Sequence, residues 1–220
     1  MADSQLPVQP DMTQSNITRR RLLTAAGCLP LLAWLPSHAE AASTIHELEG
    51  SVFINNVPAK MDSRIRAGDK IVVAHDGKLA VSIGGDAYLL RAGTALEIAA
   101  RKGLVSGLRL LTGELLAVFG HRDKEIQVQT HIATIGIRGT AIYLNANPTN
   151  LYACTCYGST DLRFGRHTEH VNATHHSAYQ IDASGGSTSA MQAMEVVGHS
   201  DDELRTLEGY VGRIPKFDQP

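Results

Sequence analysis

Gln127-Val-Gln-Thr-His-Ile-Ala-Thr-Ile-Gly-Ile-Arg-Gly-Thr-Ala-Ile-Tyr-Leu144 is the run that decides the fold. It reads as two short β-strands broken at Gly136 and Gly139, with Arg138-Gly139-Thr140 at the corner. Glycine at such positions relieves steric crowding at a bend or bulge in a sheet. Arg138 has two readings: a ligand-facing cation suited to carboxylate or phosphate, or a side chain paired with a nearby carboxylate or capping loop carbonyls. A few residues on, a third strand carries Cys154-Thr-Cys156.

Upstream of this run the chain is built of strands and turns. Thr44 to Phe53 predicts a first strand, and Asp69 to Ala74 a second after the Ala67-Gly68-Asp69 turn. Asp76-Gly77 is a hairpin signal, because both residues accept the positive φ of a tight two-residue turn. Leu79 to Ile83, Ala87 to Arg91, Leu96 to Ala99, Gly107 to Leu111 and Glu114 to Phe119 continue the series. Turns recur about every ten residues, the spacing of an all-β sandwich, barrel or solenoid. The fold class is therefore mainly β, a solenoid-like or sandwich module of short strands, closed by a short C-terminal amphipathic helix.

These pieces resemble the FecR periplasmic domain family. The resemblance is carried by Leu48-Glu-Gly50-Ser-Val52, Ile65-Arg-Ala-Gly68-Asp69-Lys-Ile71 and Asp76-Gly77-Lys-Leu-Ala80. It continues through Leu110-Leu-Thr-Gly113-Glu-Leu115, Ile126-Gln-Val-Gln-Thr130 and Ile137-Arg-Gly139-Thr-Ala-Ile142. The family implies a β module in cell-surface signalling for iron uptake, between an outer-membrane receptor and a cytoplasmic sigma-factor-binding domain. Too few residues precede Thr18 for such a cytoplasmic domain, so the expectation is a free-standing exported module. The family's motif positions read as turn and core positions, so no ligand site comes with the resemblance.

Export is read at the N-terminus. Thr18-Arg19-Arg20-Arg21-Leu22-Leu23 opens an apolar run to Leu35, and small residues follow at Ala39-Glu40-Ala41. A basic segment, an apolar core of about 14 residues and an A-x-A site make up an export signal. The arginines resemble the twin-arginine type. A membrane-spanning helix needs about 20 apolar residues, so the expected location is the periplasm, with no stable span in the mature chain and an uncleaved membrane anchor as the less favoured alternative. Removing residues 1–41 takes away Arg19, Arg20 and Arg21 against Asp3, Asp11 and Glu40, leaving the net charge of −2 unchanged. That balance carries no basic footprint for nucleic acid. The remaining divisions are a FecR-like domain over 45–162, a His-rich β extension over 163–183, a connector over 184–199, and a helix and tail over 200–220.

The chemistry gathers late in the chain. In a strand, residues i and i+2 share a face, so Cys154 and Cys156 aim two soft donors the same way. A disulfide between them is an alternative that needs backbone distortion, since extended i, i+2 α-carbons lie about 6.6 Å apart, and two buried thiols packing as small hydrophobes are the plain reading. With His175 and His176 they make a Cys2His2 candidate for zinc or copper, with His167, His170 and His199 as alternates. The same thiols leave open a thiol-redox or metal-dependent enzyme of the periplasm. C-x-C is not the C-x-x-C knuckle of common zinc sites, and no nucleophile elbow, P-loop or dinucleotide fingerprint is present. A binding or scaffolding module with a periplasmic or envelope protein partner is favoured over an enzyme. Finally, Ser200-Asp-Asp-Glu203 is a capping box, Leu204, Leu207 and Val211 form one apolar face, and Gly212 and Pro215 stop the helix.

Overall fold

Among the described residues, short turns cut the apolar runs into fifteen strands. The computed structural model describes residues 42–101, 104–183 and 191–220, with the side chain of Leu104 left aside. The export segment 1–41 and residues 184–190 of the connector lie outside the described residues. The strands run β1 (Ser43–Glu49), β2 (Val52–Ile54), β3 (Val57–Pro58), β4 (Lys70–Val73), β5 (Lys78–Ile83), β6 (Asp86–Leu90), β7 (Ala95–Arg101) and β8 (Leu104–Val118). They continue as β9 (Ile126–Gln129), β10 (Thr134–Ile137), β11 (Ala141–Ala146), β12 (Asn150–Phe164), β13 (His167–Ala173), β14 (Ser177–Asp182) and β15 (Met191–Met194). Helix α1 (Asp201–Tyr210) and a short 3-10 turn over Lys216–Asp218 close the chain.

Two long strands build both layers. The first layer runs β1-β5-β6-β8-β11-β12-β14-β15, antiparallel throughout. It uses the end of β8 and the start of β12. The second runs β3-β2-β4-β7-β8-β9-β10-β12-β13, using the other halves of the same two strands, with β8 and β9 as its one parallel pair. Strand β12 pairs with β11 and β14 up to Tyr157, and with β13 and β10 from Gly158 onward. Gly158 makes the change possible: its φ is +86°, and a Cβ there would lie 2.6 Å from Thr140 Oγ1. A side chain would meet both the strain of positive φ and that clash.

A large apolar cluster fills the space between the layers, with Leu79, Val81, Leu115, Leu144 and Leu151 from one facing Ile71, Leu96, Leu110, Val128 and Ile135 from the other. A second cluster lies on the opposite face of the first layer. It contains Leu116, Tyr143, Tyr152, Cys154, Cys156 and Tyr157, and α1 covers it with Leu204 and Leu207. The mainly β class and the short C-terminal helix stand as expected. The capping box forms in full, and Val211 sits at the C-cap. Beyond it Arg213 turns back to the buried Glu208 carboxylate, its Nε donating at 2.5 Å.

Several local expectations are corrected. Thr44–Phe53 is two strands parted at Gly50-Ser51, where Asp76 accepts from the Ser51 N–H at 3.3 Å and its hydroxyl at 3.1 Å. Asp76-Gly77 makes no hairpin, because it links β4 in one layer to β5 in the other. The hairpin lies at Gly84-Gly85, where Ile83 faces Asp86. Gly107–Leu111 and Glu114–Phe119 are not separate strands, since β8 runs through both. The Gln127–Leu144 run forms three strands rather than two. Gly139 is at its break, but Gly136 lies inside β10, where a Cβ would meet the Glu125 carboxylate at 2.6 Å. The 162/163 division falls within β12.

Candidate metal centre

The outer face of the first layer presents Cys154 and Cys156 side by side, both free and no more than 1% exposed. Their i, i+2 spacing in β12 puts both sulfurs under the C-terminal segment. Two histidines reach the same point from different loops. His176 ends the β13–β14 turn with φ +47°, an uncommon conformation for a side chain of its size, and its N–H donates to the Cys156 carbonyl at 2.8 Å. His199 precedes α1. Tyr152 fixes the incoming chain, its hydroxyl donating to the Glu195 carbonyl at 2.9 Å and accepting from the Val197 N–H at 3.1 Å. Arg91 holds the next step, donating to the Gly198 carbonyl at 2.9 Å and to the Glu203 carboxylate at 2.7 Å. Gly198 has φ +80° and lies so close to the Tyr143 hydroxyl that no Cβ fits. The His199 ring stacks on Tyr143, with centroids 4.7 Å apart.

Cys154 Sγ, Cys156 Sγ and one nitrogen each from His176 and His199 lie within 4.8 Å of one another, a group that could hold a metal ion. Cys154 Sγ is 3.7 Å from His176 Nδ1, Cys156 Sγ is 3.2 Å from His199 Nε2, and the two nitrogens are 3.2 Å apart. A tetrahedron with zinc–sulfur bonds of about 2.3 Å and zinc–nitrogen bonds of about 2.0–2.1 Å has edges of roughly 3.3–3.8 Å. These three edges fit that figure to within a few tenths of an ångström, and the other three pairs lie within 4.8 Å. The outer nitrogens are engaged as metal-bound imidazoles require. His176 Nε2 faces Asp201 Oδ1 at 2.9 Å, and His199 Nδ1 faces the Val197 carbonyl at 3.1 Å. Donation on those sides leaves a lone pair on each inner nitrogen pointing at the sulfurs.

The electrostatics agree. The hydrogen bond from Cys156, helped by His199 and His176, outweighs burial and holds the Cys154 thiol well below its ordinary value. Burial, and then the neighbouring Cys154, push the Cys156 thiol well up. The pair therefore shares one proton, which a cation can replace. Burial raises the Asp201 carboxyl, but hydrogen bonds from His175 and His176 outweigh it and hold the group below its ordinary value.

The other candidates are dispersed. His175 belongs to a neighbouring group with His176 and Asp201, so His199 takes its place beside the sulfurs. His170 is on β13 against Asp161 at 2.8 Å, and His167 packs near Phe164. Arg138 is exposed in the β10–β11 connection and makes no hydrogen bond or ion pair among the described residues. It lines a cleft of about 1030 Å³ with His121, His170, His175 and Lys216. Asp201 was missed by sequence reasoning; its place in the first turn of α1 was legible, but not its contact with two histidines.

No family model matches the chain. No curated protein matches it either. Two crystal structures of a candidate anti-sigma factor from Parabacteroides distasonis are similar to it at 13% identity and a TM-score of 0.49. The similarity covers 57% of this chain and 59% of that one, so the chain spans less than two thirds of that protein's length. Among the described residues, no helix is long and apolar enough to cross a membrane.

Proposed function

We propose that this chain is an exported FecR-type binding or sensory module whose Cys154, Cys156, His176 and His199 hold a zinc ion. The ion fastens the C-terminal segment to the β sandwich. The observation that carries the metal reading is the convergence of four donors within 4.8 Å, three of whose edges are near tetrahedral length and whose outer imidazole nitrogens are already engaged. Nitrogen and thiolate in equal number favour zinc, with copper(I) the competing ion. Four protein ligands close the coordination sphere, which is the arrangement of a structural centre. The FecR part rests on the ordered motifs from Leu48 to Ile142. Periplasmic export rests on Thr18–Leu23 and Ala39–Ala41, and another envelope protein is the partner in this role. The thiol-redox alternative is weaker, because a substrate must reach a sulfur and both sulfurs are covered.

Protein purified from a cytoplasmic expression host should carry one tightly held equivalent of zinc or copper, and Cys154→Ser/Cys156→Ser should lose it. At free metal about a hundred times Kd, binding contributes about 2.7 kcal/mol. Hydrogen exchange should show that contribution mainly in residues 195–218. Wild-type protein that is metal-free and equally protected there overturns the proposal.

A further inference from the structure

His176 shows both of its nitrogens to potential ligands. Nδ1 faces the sulfurs, while Nε2 lies 2.9 Å from Asp201 Oδ1. Asp201 also meets a second imidazole, with His175 Nε2 at 3.0 Å from Oδ1 and 3.1 Å from Oδ2. The three residues offer two nitrogens and a carboxylate within 4.8 Å. They differ from the buried centre in accessibility: the side chains of His175 and Asp201 are 48% and 32% exposed, and that of His176 is 12% exposed. His175 and Asp201 also line the cleft that contains Arg138 and Lys216.

We infer that His175, His176 and Asp201 form a second, open site for a divalent first-row transition metal, joined to the Cys/His centre through the His176 ring. Metal–nitrogen and metal–oxygen bonds of about 2.0–2.2 Å place adjacent ligands of an octahedral ion roughly 2.8–3.1 Å apart. The observed nitrogen–oxygen spacings of 2.9–3.1 Å fall in that range. Two imidazoles and one carboxylate leave coordination positions free, and those positions are where an open site meets water or a ligand. Two of the three ligands, His175 and Asp201, line the cleft, so a ligand can approach from that side. A metal on Nε2 replaces the hydrogen bonds to Asp201: the His175 proton moves to its Nδ1, and the His176 proton leaves to solvent when Nδ1 already holds the first ion. The carboxylate stays anionic and offsets charge. The backbone assists, since α1 begins at Asp201 and its capping box fixes the first turn.

The inference shares His176 with the proposed zinc centre but does not require that centre to be filled. Cobalt(II) titration of the metal-depleted full chain separates the two. One equivalent should give an intense near-ultraviolet thiolate-to-cobalt band. A second, weaker-binding equivalent should add only weak ligand-field absorption. His175→Ala should retain the thiolate band and lose the second equivalent. Asp201→Asn should lose the second equivalent and also weaken the first, since it changes the partner of His176. Saturation at one equivalent with the thiolate band, unaltered by His175→Ala, overturns the second site and leaves Asp201 a hydrogen-bond partner. One equivalent without the band, abolished by His175→Ala, supports the second site and overturns the zinc centre. No cobalt uptake overturns both.

Discussion

The two faces of the first layer are held by different chemistry. Its inner face meets the second layer through Leu, Ile and Val, with Leu79, Leu115, Leu144 and Leu151 all fully buried. Its outer face meets the C-terminal segment through tyrosines, two thiols and the buried carboxylate of Glu208. One interface relies on apolar area, which gives stability without direction. The other is anchored at directional points: Tyr152 to the 195–197 backbone, Arg91 to Glu203, Tyr157 to Glu208, and Arg213 to the Gly85 carbonyl. The sandwich should therefore unfold as one cooperative body, whereas the C-terminal segment can loosen while the sandwich stays folded.

The largest break in this comparison comes from the inner face. Leu110 has no exposed surface and packs in the inter-layer cluster. Leu110→Ala should cost about 3 kcal/mol through lost burial and an unfilled cavity. In urea unfolding the whole transition should shift, with the sandwich and the C-terminal segment lost together. A Leu110→Ala protein that loses only the protection of α1 contradicts the division.

A smaller and more local loss is expected on the outer face. The Tyr157 hydroxyl donates to Glu208, whose other oxygen takes Arg213 Nε at 2.5 Å. Tyr157→Phe removes one donor from a buried carboxylate and should cost about 1.5 kcal/mol. The loss should appear as faster amide exchange in α1, with the strand amides of the inter-layer core unchanged. Uniform loss across the chain would join the two faces into one cooperative unit.

How much of this could be read from the sequence follows the same division. Strand periodicity, the i, i+2 thiols and the Ser200–Glu203 capping box are local signals, and all three appear as structure. The layer changes are not local. Nothing near Gly113 says that β8 continues, because a Thr-Gly pair reads equally as a turn or a bend. Likewise, Asp76-Gly77 carries hairpin chemistry but spans two layers. The switch at Gly158 also explains the histidines. His167 and His170 lie on β13, beside the half of β12 beyond the switch, while the cysteines precede it. His175 and His176 stand where the chain returns to the cysteine-bearing layer. His199 is set by contacts reaching back as far as Arg91, which no spacing rule encodes.

The smallest expected effect is a pH-dependent one at the far end of α1. Tyr210 donates to Glu47 Oε1 at 2.6 Å, and Lys78 donates to Oε2 at 2.5 Å. Lys78 first, then Tyr210, hold the Glu47 carboxyl below its ordinary 4.5 against the opposing effect of burial. A lowered folded value means that the unfolded chain takes up the proton more readily. The stabilisation is complete above pH 4.5 and disappears as the pH falls through the lowered value. For a partly exposed pair it should amount to less than about 1 kcal/mol. His46, stacked on Tyr210 with centroids 3.9 Å apart, is a second titrating group at this contact. Burial lowers its value below 6.5, despite the opposing charge of Glu47. Its protonation therefore begins to oppose the folded contact below pH 6.5. Amide exchange at the end of α1, followed from pH 7 to pH 3, should rise relative to the strands in two steps. Glu47→Gln should remove the acid step and keep the one that begins below pH 6.5, and a single step untouched by Glu47→Gln would assign the loosening to His46 alone.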